Sequence, residues 1–337
     1  AIFEVYMRKK ILVTGGAGYI GSHTVVELYL SGYMPIIVDN LCNTSKRNLV
    51  GINQILKTDI PFHKVDCTDL NEMENIFKIH DDINACIHFA AFKSVEESVK
   101  NPQKYYKNNI GSTEVLLKCL EKNEFKNLIF SSSCTVYGMP DKLPVDESAP
   151  FKKAESPYAE TKQKCEILIN KNLCNSVSLR YFNPIGSHDS GLIGDCSNDR
   201  ASNLVPIVTE VACGLREKLI VNGNDYNTHD GTCVRDYIHV QDLALAHVNA
   251  LDFLLQNNVK EVFNVGTGNG LSVLDIINDF EEVNNLKLNY KIGPRRVGDI
   301  EKIYSNGNKT KNVLGWRVCR STKEALISAW NWQKSKK

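Results

Sequence analysis

A short apolar segment that runs straight into three regularly spaced glycines is the feature that most constrains this 337-residue chain. Lys10–Thr14 is largely apolar, Gly15, Gly18 and Gly21 follow it, and a helical pattern continues to Leu30. This order predicts a strand, a tight turn and a helix. In such a unit the first glycine permits the turn, the second lets the backbone approach a pyrophosphate, and the third lets the helix pack closely on the strand.

A second apolar run, Ile36–Val38, ends in the carboxylate of Asp39, 18 residues beyond Gly21. An acid at this position accepts hydrogen bonds from the ribose hydroxyls of an adenosine and repels a 2′-phosphate. The two features together therefore predict that the chain binds NAD rather than NADP. The alternative is a glycine turn followed by a solvated aspartate, since glycine-rich turns are common.

The composition gives no sign of a nucleic-acid or membrane partner. The net charge is +1, charged residues make up 23% of the chain, and no apolar run approaches the roughly 20 residues that span a bilayer. The eleven cysteines are scattered and form no CxxC pair. We therefore expect reduced thiols in a cytoplasmic protein and no structural metal.

Strand-like and helical patterns alternate through the first half of the chain. The predicted strands are 10–14, 35–39, 61–65, 84–89, 127–131 and 176–181, and the predicted helices include 18–30, 71–79, 102–122 and 156–173. Parallel strands joined by helices predict an α/β fold, a Rossmann-type doubly wound parallel sheet whose ligand lies beyond the carboxyl ends of the strands. We expect residues 7–183 to form this NAD-binding domain.

The second half is less regular and predicts a smaller C-terminal substrate-binding lobe. Its pattern gives strands at 235–240 and 259–265 and helices near 203–214, 242–256, 272–283 and 321–333. We expect the chain to return to the first domain at about 236–266. Segments 184–235 and 267–337 are then assigned to the smaller lobe.

Tyr158 and Lys162 lie four residues apart and therefore share one face of a predicted helix. A tyrosine with a pKa near 10 is a poor base at neutral pH, but a lysine ammonium together with a positive nicotinamide ring favours the phenolate. The fifth strand ends in three serines, Ser131–Ser133, which either cap a turn or bridge a substrate oxygen and Tyr158. Downstream of an NAD site, this set predicts hydride transfer.

These motifs together resemble the extended short-chain dehydrogenase/reductase family. The resemblance rests on Gly15-x-x-Gly18-x-x-Gly21, Ser131–Ser133, Ser156-Pro157-Tyr158-x-x-x-Lys162 and Arg180–Pro184. Longer strings, among them Val234–Val240 and Gly223–Tyr226, resemble the UDP-galactose 4-epimerase branch of that family. The similarity runs from about Arg8 to Gln333.

The resemblance implies a mechanism. Tyr158, as phenolate, takes the proton of the sugar 4-hydroxyl while hydride passes from C4 to NAD, and Ser133 holds the 4-oxygen. The 4-keto sugar then turns over, and hydride returns to its opposite face. UDP-galactose and UDP-glucose are the implied substrates.

The resemblance also assigns the binding residues. NAD contacts fall to Gly15, Gly18, Tyr19, Ile20, Gly21, Asp39, Asn40, Asn43, Asp66, Cys67, Phe89, Ala90, Lys93, Asn108, Tyr158, Lys162 and Tyr181. UDP-sugar contacts fall to Ser133, Tyr158, Asn183, Asn203, Leu204, Leu219, Val221, Arg235, Arg296, Asp299 and Ile303. Arginines suit a pyrophosphate because they are always charged and bind in two places, although solvated surface arginines are the alternative.

Three positions depart from the family pattern. Cys134 replaces a small alanine after the serines, and Asn222 stands where an aromatic residue commonly lies near the uracil. Ile303 occupies the position whose bulk controls admission of an N-acetyl group. Its intermediate size predicts that UDP-galactose and UDP-glucose interconvert efficiently and that N-acetylated sugars react poorly.

Two other functions fit the same fold. A 4,6-dehydratase, or a relative acting on UDP-glucuronate, is the nearest enzyme. Dehydratases typically carry Asp-Glu after a threonine at the end of the fifth strand, where this chain has Ser132-Ser133. An NAD-sensing regulator without catalysis usually lacks the tyrosine–lysine pair.

Two predicted helices, 102–122 and 156–173, are apolar on more than one face. The residues concerned are Val115, Leu116, Leu117 and Leu120 in the first and Ile167, Leu168 and Leu173 in the second. A helix that is apolar beyond its core stripe often buries the excess against a partner. The family resemblance implies a homodimer packed through these helices as a four-helix bundle.

Overall fold

A computed structural model describes residues 8–197, 201–296 and 299–336. Met7 and Lys337, the first and last residues of the predicted domains, lie outside these ranges. The strands are β1 (Lys10–Thr14), β2 (Met34–Val38), β3 (Phe62–His63), β4 (Ile83–His88), β5 (Asn127–Ser133), β6 (Asn175–Tyr181), β7 (Asn183–Ile185), β8 (Leu219–Asn222), β9 (Val234–His239), β10 (Lys260–Val265), β11 (Gly270–Ser272), β12 (Tyr290–Gly293) and β13 (Lys302–Ile303).

The helices are α1 (Tyr19–Leu30), α2 (Arg47–Leu56), α3 (Leu70–Ile79), α4 (Val95–Lys100), α5 (Pro102–Tyr105), α6 (Gly111–Lys122), α7 (Pro157–Lys171), α8 (Leu204–Ala212), α9 (Val240–Gln256), α10 (Val273–Asn284), α11 (Asn308–Leu314) and α12 (Thr322–Ser335). A π-helical segment, Tyr106–Ile110, joins α5 to α6. Within the described ranges, no helix combines the length and the hydropathy needed to cross a membrane.

Seven strands form one parallel sheet in the order β10-β6-β5-β4-β1-β2-β3. The strand order reverses between β1 and β4, and ligands of doubly wound sheets bind at this reversal, beyond the carboxyl ends of the strands. The predicted Rossmann-type α/β fold is therefore confirmed.

Alternate residues of β1 show how the sheet is buried on both faces. Ile11 and Val13 pack with residues of α1 and α9, whereas Leu12 packs on the other face with residues of α3 and α6. A strand covered on both faces needs apolar residues at successive positions. This requirement explains the continuous apolar runs that preceded the functional residues in the sequence.

The chain returns to this sheet through α9 and β10. Helix α9 packs beside α1, and β10 pairs in parallel with β6. Strand β9, which we expected to return with them, pairs instead with β7, β11 and β13 in a second sheet. Because β7 begins two residues after β6 ends, it carries this pairing past the edge of the large sheet. The exact division into domains stays a prediction.

The predicted helix 102–122 is interrupted rather than continuous. Its π-helical segment buries Asn109, whose side chain accepts a hydrogen bond from the Phe92 N–H at 2.8 Å and donates one to the Phe92 carbonyl at 3.0 Å. The wider turn thus fastens this helix to the loop after β4. Helical periodicity does not distinguish such a turn from an α-helical one, so the sequence did not predict it.

Candidate active site

The glycine-rich turn leaves no room for side chains at two of its three glycines. Gly15 has a φ of +69°, and a Cβ there would lie 2.7 Å from the Ala90 backbone nitrogen. A Cβ on Gly21 would lie 2.3 Å from the Gly15 carbonyl oxygen. Helix α1 begins after Gly18 without a side-chain cap, so its first N–H groups face the turn and suit a pyrophosphate.

Asp39 follows β2 beside this turn and is buried. Its carboxylate accepts hydrogen bonds from the N–H groups of Ala17 at 3.1 Å and Leu41 at 2.9 Å. Burial raises the pKa of Asp39, although these two hydrogen bonds act in the opposite direction. Each oxygen keeps a further lone pair for a ribose hydroxyl. The tight turn and the acid thus fit NAD.

Other predicted cofactor residues lie along the same edge of the sheet. The Asn40 amide donates to the Asp66 carboxylate at 3.1 Å, and Cys67 lies next to that acid in the chain and is buried. Asn43 lies in the bend shortly after Asn40. These residues therefore lie around Asp39, beyond the carboxyl ends of β2 and β3.

Lys93 and Tyr19 meet a residue that the sequence did not single out. The Lys93 ammonium lies 3.2 Å from the carboxylate of Asp195 and 5.4 Å from the centroid of the Tyr19 ring. The Tyr19 hydroxyl donates to the Gly186 carbonyl at 2.6 Å. Burial alone would raise the pKa of Asp195, but Lys93 and Ser197 hold it at about 2. No sequence pattern linked Asp195 to Lys93, because the pairing spans two loops.

The remaining cofactor residues occupy expected places. Phe89 and Ala90 follow β4, and the Phe89 N–H donates to the Thr14 carbonyl at 2.9 Å. Ile20 belongs to α1 and packs against the core, and the Asn108 amide donates to the Asn109 side chain at 3.0 Å. The backbone after β4 is thus held at the strand reversal by Thr14, Ser112 and Asn109.

The structure brings Ser133, Tyr158 and Lys162 together. Helix α7 begins at the Ser156 cap, whose hydroxyl accepts from the Ala159 N–H at 3.1 Å, and this start places Tyr158 in the first turn. Ser133 lies near enough to the Tyr158 hydroxyl to lower the pKa of Tyr158, in opposition to burial. One turn later, the Lys162 ammonium donates to the Ser131 carbonyl at 2.5 Å.

Burial dominates the protonation of this pair. It raises the pKa of Tyr158 to about 12, against the opposing effect of the Ser133 hydroxyl, and lowers the pKa of Lys162 to about 8. The ammonium lies 5.8 Å from the centroid of the Tyr158 ring, and its hydrogen bond goes to a carbonyl. In the protein alone, the raised pKa therefore keeps Tyr158 a neutral phenol at pH 7.

Tyr181 completes the edge at the end of β6, where its hydroxyl donates to the Ser131 side chain. Two histidines that end apolar strands are structural. His88 is buried between Thr14 and Thr113, and burial lowers its pKa to about 3. His239 caps α9 by accepting from the Gln241 N–H.

The two predicted pyrophosphate arginines converge on one acid. Arg296 donates to the Asp299 carboxylate at 2.6 Å, and Arg235 lies 3.9 Å from the same carboxylate. Asp299 thus holds both guanidinium groups on one side of β9. An anionic diphosphate can be bound there because two cations share one counter-charge.

The structure limits how the other predicted substrate residues can act. Leu219 and Val221 on β8 point into the core of the smaller lobe, so only their backbones can contact a ligand. Asn203 precedes α8 without capping it through its side chain, Leu204 begins that helix, and Asn183 begins β7.

An aromatic side chain does lie close to Asn222. Tyr226 and Arg295 stack on each other at 4.1 Å, and a Cβ on Gly223 would lie within 3 Å of both side chains. The Gly223–Tyr226 string contained this residue, but sequence alone did not place it beside β8. Tyr226 and Arg295 are thus candidates for packing on a base in place of a residue at 222.

Ile303 lies on β13, which pairs with β9 in the second sheet. It pairs with Arg235 in the register of β9 and β13 and is 3% exposed. Its side chain packs in one cluster with Cys134 and Phe182. Ile303 therefore shares one buried cluster with Cys134, in the turn that follows Ser133.

Comparison with known proteins identifies the family. The model of the GDP-mannose 4,6 dehydratase family matches residues 12–328. The UDP-glucose 4-epimerase of Bacillus subtilis is 44% identical over 96% of this chain and 97% of its own, and the human enzyme is 42% identical over 97% of each. This chain belongs to the UDP-glucose 4-epimerase family. The predicted family resemblance is confirmed.

Solved structures of epimerases agree with this assignment. The UDP-glucose 4-epimerase of Stenotrophomonas maltophila, solved with NAD and formylated UDP-arabinopyranose, has a TM-score of 0.94 and 41% identity, covering 98% of this chain and 99% of its own. The Bifidobacterium longum enzyme, in complex with NAD+ and UDP, has a TM-score of 0.93. The matching family model is named for a dehydratase. At the end of the fifth strand, where a dehydratase typically carries Asp-Glu, this chain has Ser132-Ser133, and the Ser132 hydroxyl donates a hydrogen bond to the Glu166 carboxylate.

Proposed function

We propose that this protein interconverts UDP-galactose and UDP-glucose, with NAD as its cofactor. The convergence of Ser133, Tyr158 and Lys162 at the carboxyl end of β5 carries this proposal, together with the glycine turn and Asp39 on the same edge of the sheet. The 42–44% identity to UDP-glucose 4-epimerases over nearly the whole chain supports it.

Bound NAD supplies a hydride acceptor and donor for C4 of the sugar. Tyr158 takes and returns the proton of the 4-hydroxyl, and Ser133 holds the 4-oxygen within reach of the phenol. Lys162 is placed to hold the nicotinamide ribose and to keep positive charge near the phenolate. Arg235 and Arg296 hold the diphosphate while the 4-keto sugar turns over, so C4 regains hydrogen on its opposite face.

Incubation of the purified protein with UDP-galactose tests the activity. We expect UDP-glucose to accumulate to an equilibrium ratio without added cofactor, because each turnover regenerates NAD. Heat-denatured protein serves as the control. A 4-keto-6-deoxy sugar as the product would instead support the 4,6-dehydratase alternative. Turnover of UDP-glucuronate alone would support a relative that acts on UDP-glucuronate.

The cofactor itself can be identified directly. Because Asp39 is a buried acid at the ribose position, we expect extraction of the purified protein to release NAD and no NADP. Chromatography of the released nucleotide decides the outcome. An empty protein with weak affinity for NAD, or one that releases NADP, would contradict the assignment of Asp39.

Ile303 is expected to disfavour N-acetylated sugars. An acetamido group adds several heavy atoms, and overpacking a rigid site costs about 1–3 kcal/mol, which is roughly 5- to 150-fold in kcat/KM. Ile303→Gly should raise kcat/KM for UDP-N-acetylgalactosamine more than for UDP-galactose. Val145→Ala, in the same side-chain cluster, is the control for a cavity. Equal wild-type kcat/KM for both sugars would show that residue 303 does not limit access.

We also propose a homodimer. Of the two helices on which the sequence-based prediction relied, the structure leaves α7 with exposed apolar residues but not the leucines of α6. Leu116, Leu117 and Leu120 of α6 are buried against the sheet, so they are not the apolar excess that the pattern suggested. On and just after α7, Ile167 is 43% and Leu173 is 89% exposed. These two exposed apolar side chains, on α7 and just beyond its end, support pairing with a second copy.

Sedimentation tests the dimer. We expect wild type to sediment as a dimer at micromolar concentration and Ile167→Glu to shift it toward monomer. Ile327→Glu is the matched control, since Ile327 lies on α12 and is exposed to a similar extent. Wild type that is monomeric at micromolar concentration would refute the proposal.

A cytoplasmic location is proposed as well, supported by eleven cysteines that are all free thiols.

A further inference from the structure

A buried ionic cluster joins the three elements that carry the predicted reactive groups. On β6, Arg180 donates through Nε to one Glu166 oxygen at 2.9 Å and through Nη2 to the other at 2.6 Å. Ser132 of β5 donates its hydroxyl to the same carboxylate. The Arg180 and Glu166 side chains are only 7% and 1% exposed. We call Ser132, Glu166 and Arg180 the bracket.

Each residue of the bracket neighbours a group of the active site. Ser132 lies between Ser131, which accepts a hydrogen bond from Tyr181, and Ser133, which lies near Tyr158. It is directly paired with Arg180 in the register of β5 and β6. Arg180 immediately precedes Tyr181. Glu166 lies one helical turn beyond Lys162 on α7. The bracket therefore fixes the distance between α7 and the two strands at the level of the chemistry.

Stability does not account for a charged pair at this depth. Removing two charges from water is costly, and apolar residues of similar volume often give equal or greater stability than a buried ion pair. A bidentate arginine–carboxylate contact instead fixes direction and distance. The Arg180 guanidinium is further held over Tyr137 at 4.9 Å and Phe151 at 5.1 Å, which leaves it little freedom.

We propose that Ser132, Glu166 and Arg180 are positioning residues for this epimerase, which set the height and rotation of α7 so that Tyr158 meets Ser133 and Lys162 meets Ser131. This inference rests on the proposed function. None of the three touches the sugar; they act through α7 and β5. The negative charge of Glu166 also favours the ammonium form of Lys162, in opposition to its burial.

An apolar replacement separates positioning from stability. In the triple variant Ser132→Ala, Glu166→Leu, Arg180→Met, no buried charge is left unpaired. We expect a urea midpoint equal to or above that of wild type and full NAD content. We expect kcat to fall by about 10- to 100-fold, since small misplacements of reacting groups cost up to about 10², with the KM for UDP-galactose within about twofold. The alkaline limb of the pH profile should move to lower pH, because Lys162 loses a favourable charge.

A matched pair provides the control. Arg216 and Glu210 form a partly buried ion pair in the smaller lobe. Their side chains are 16% and 22% exposed, respectively. Their replacement by Leu and Met should leave kcat and the pH profile unchanged. A triple variant with wild-type kcat and pH profile overturns the proposal, as does a fall in kcat that only follows a loss of bound NAD.

A single variant covers the case in which the triple variant does not fold. Glu166→Gln keeps the shape of the side chain and removes its charge. Measured at a temperature where it is folded and loaded with NAD, it should show the same fall in kcat at unchanged KM, and wild-type values would overturn the proposal. Wild type without epimerase activity would contradict the proposed function itself, so the two failures are distinguishable.

Discussion

Replacement of Tyr158 by phenylalanine is expected to lower turnover by several orders of magnitude while NAD stays bound. The phenolic oxygen is the one atom removed, and general acid–base steps are typically worth about 10²–10⁴. Phenylalanine fills the same space in the first turn of α7, so the fold should not change. The measurement is kcat for UDP-galactose, with the NAD content of the variant determined in parallel.

Tyr290→Phe is the matched control for this change. Tyr290 lies on β12 and is 39% exposed, far along the chain from the serines of β5. Its variant should keep wild-type kcat. A Tyr158→Phe protein that retains a third of wild-type turnover would remove Tyr158 from its proposed role.

Gly21→Ala should produce the second large effect, loss of the cofactor. The new Cβ would lie 2.3 Å from the Gly15 carbonyl oxygen and 2.8 Å from the Gly16 Cα, and backbone atoms in a tight turn cannot move aside. Helix α1 would be pushed off the turn that faces the phosphates. We expect the variant to purify without NAD and to lose about 1–3 kcal/mol in the free energy of unfolding, as overpacking typically does.

Gly111→Ala tests whether any glycine-to-alanine change has this effect. The nearest atom to its Cβ is the Thr68 methyl group at 4.0 Å, and Gly111 begins α6 without a positive φ. This variant should keep its NAD and gain up to about 1 kcal/mol in stability, because alanine restricts the unfolded chain. Gly21→Ala protein with wild-type NAD content would show that the turn tolerates a side chain.

The predictable part of the site is the part encoded in local patterns. Apolar runs that end in Asp39, in the Phe89 turn or in Ser131–Ser133 were enough to place these residues on one edge, since parallel strands align their carboxyl ends. Tyr158 and Lys162 followed from helical spacing. Each of these inferences needed only a window of several residues and one topological rule.

Contacts between distant segments account for what the sequence did not predict. Asp195 meets Lys93 across two loops, and Arg235 on β9 meets Asp299, which also pairs with Arg296 three residues before it. The pairing of β9 with the smaller sheet depends on which edges are already occupied, which a pattern of apolar residues does not encode. The Tyr158 pKa depends on burial, which exists only once α7 has packed.

The most direct test of the central claim follows the hydrogen at C4. UDP-galactose that carries deuterium at C4 is incubated with the purified protein in ordinary water, and the UDP-glucose formed is analysed by NMR and mass spectrometry. Oxidation at C4 and return of the same hydrogen within one closed site predict UDP-glucose with its deuterium retained at C4. Deuterium found at another carbon of the sugar, or lost to water, would contradict the account.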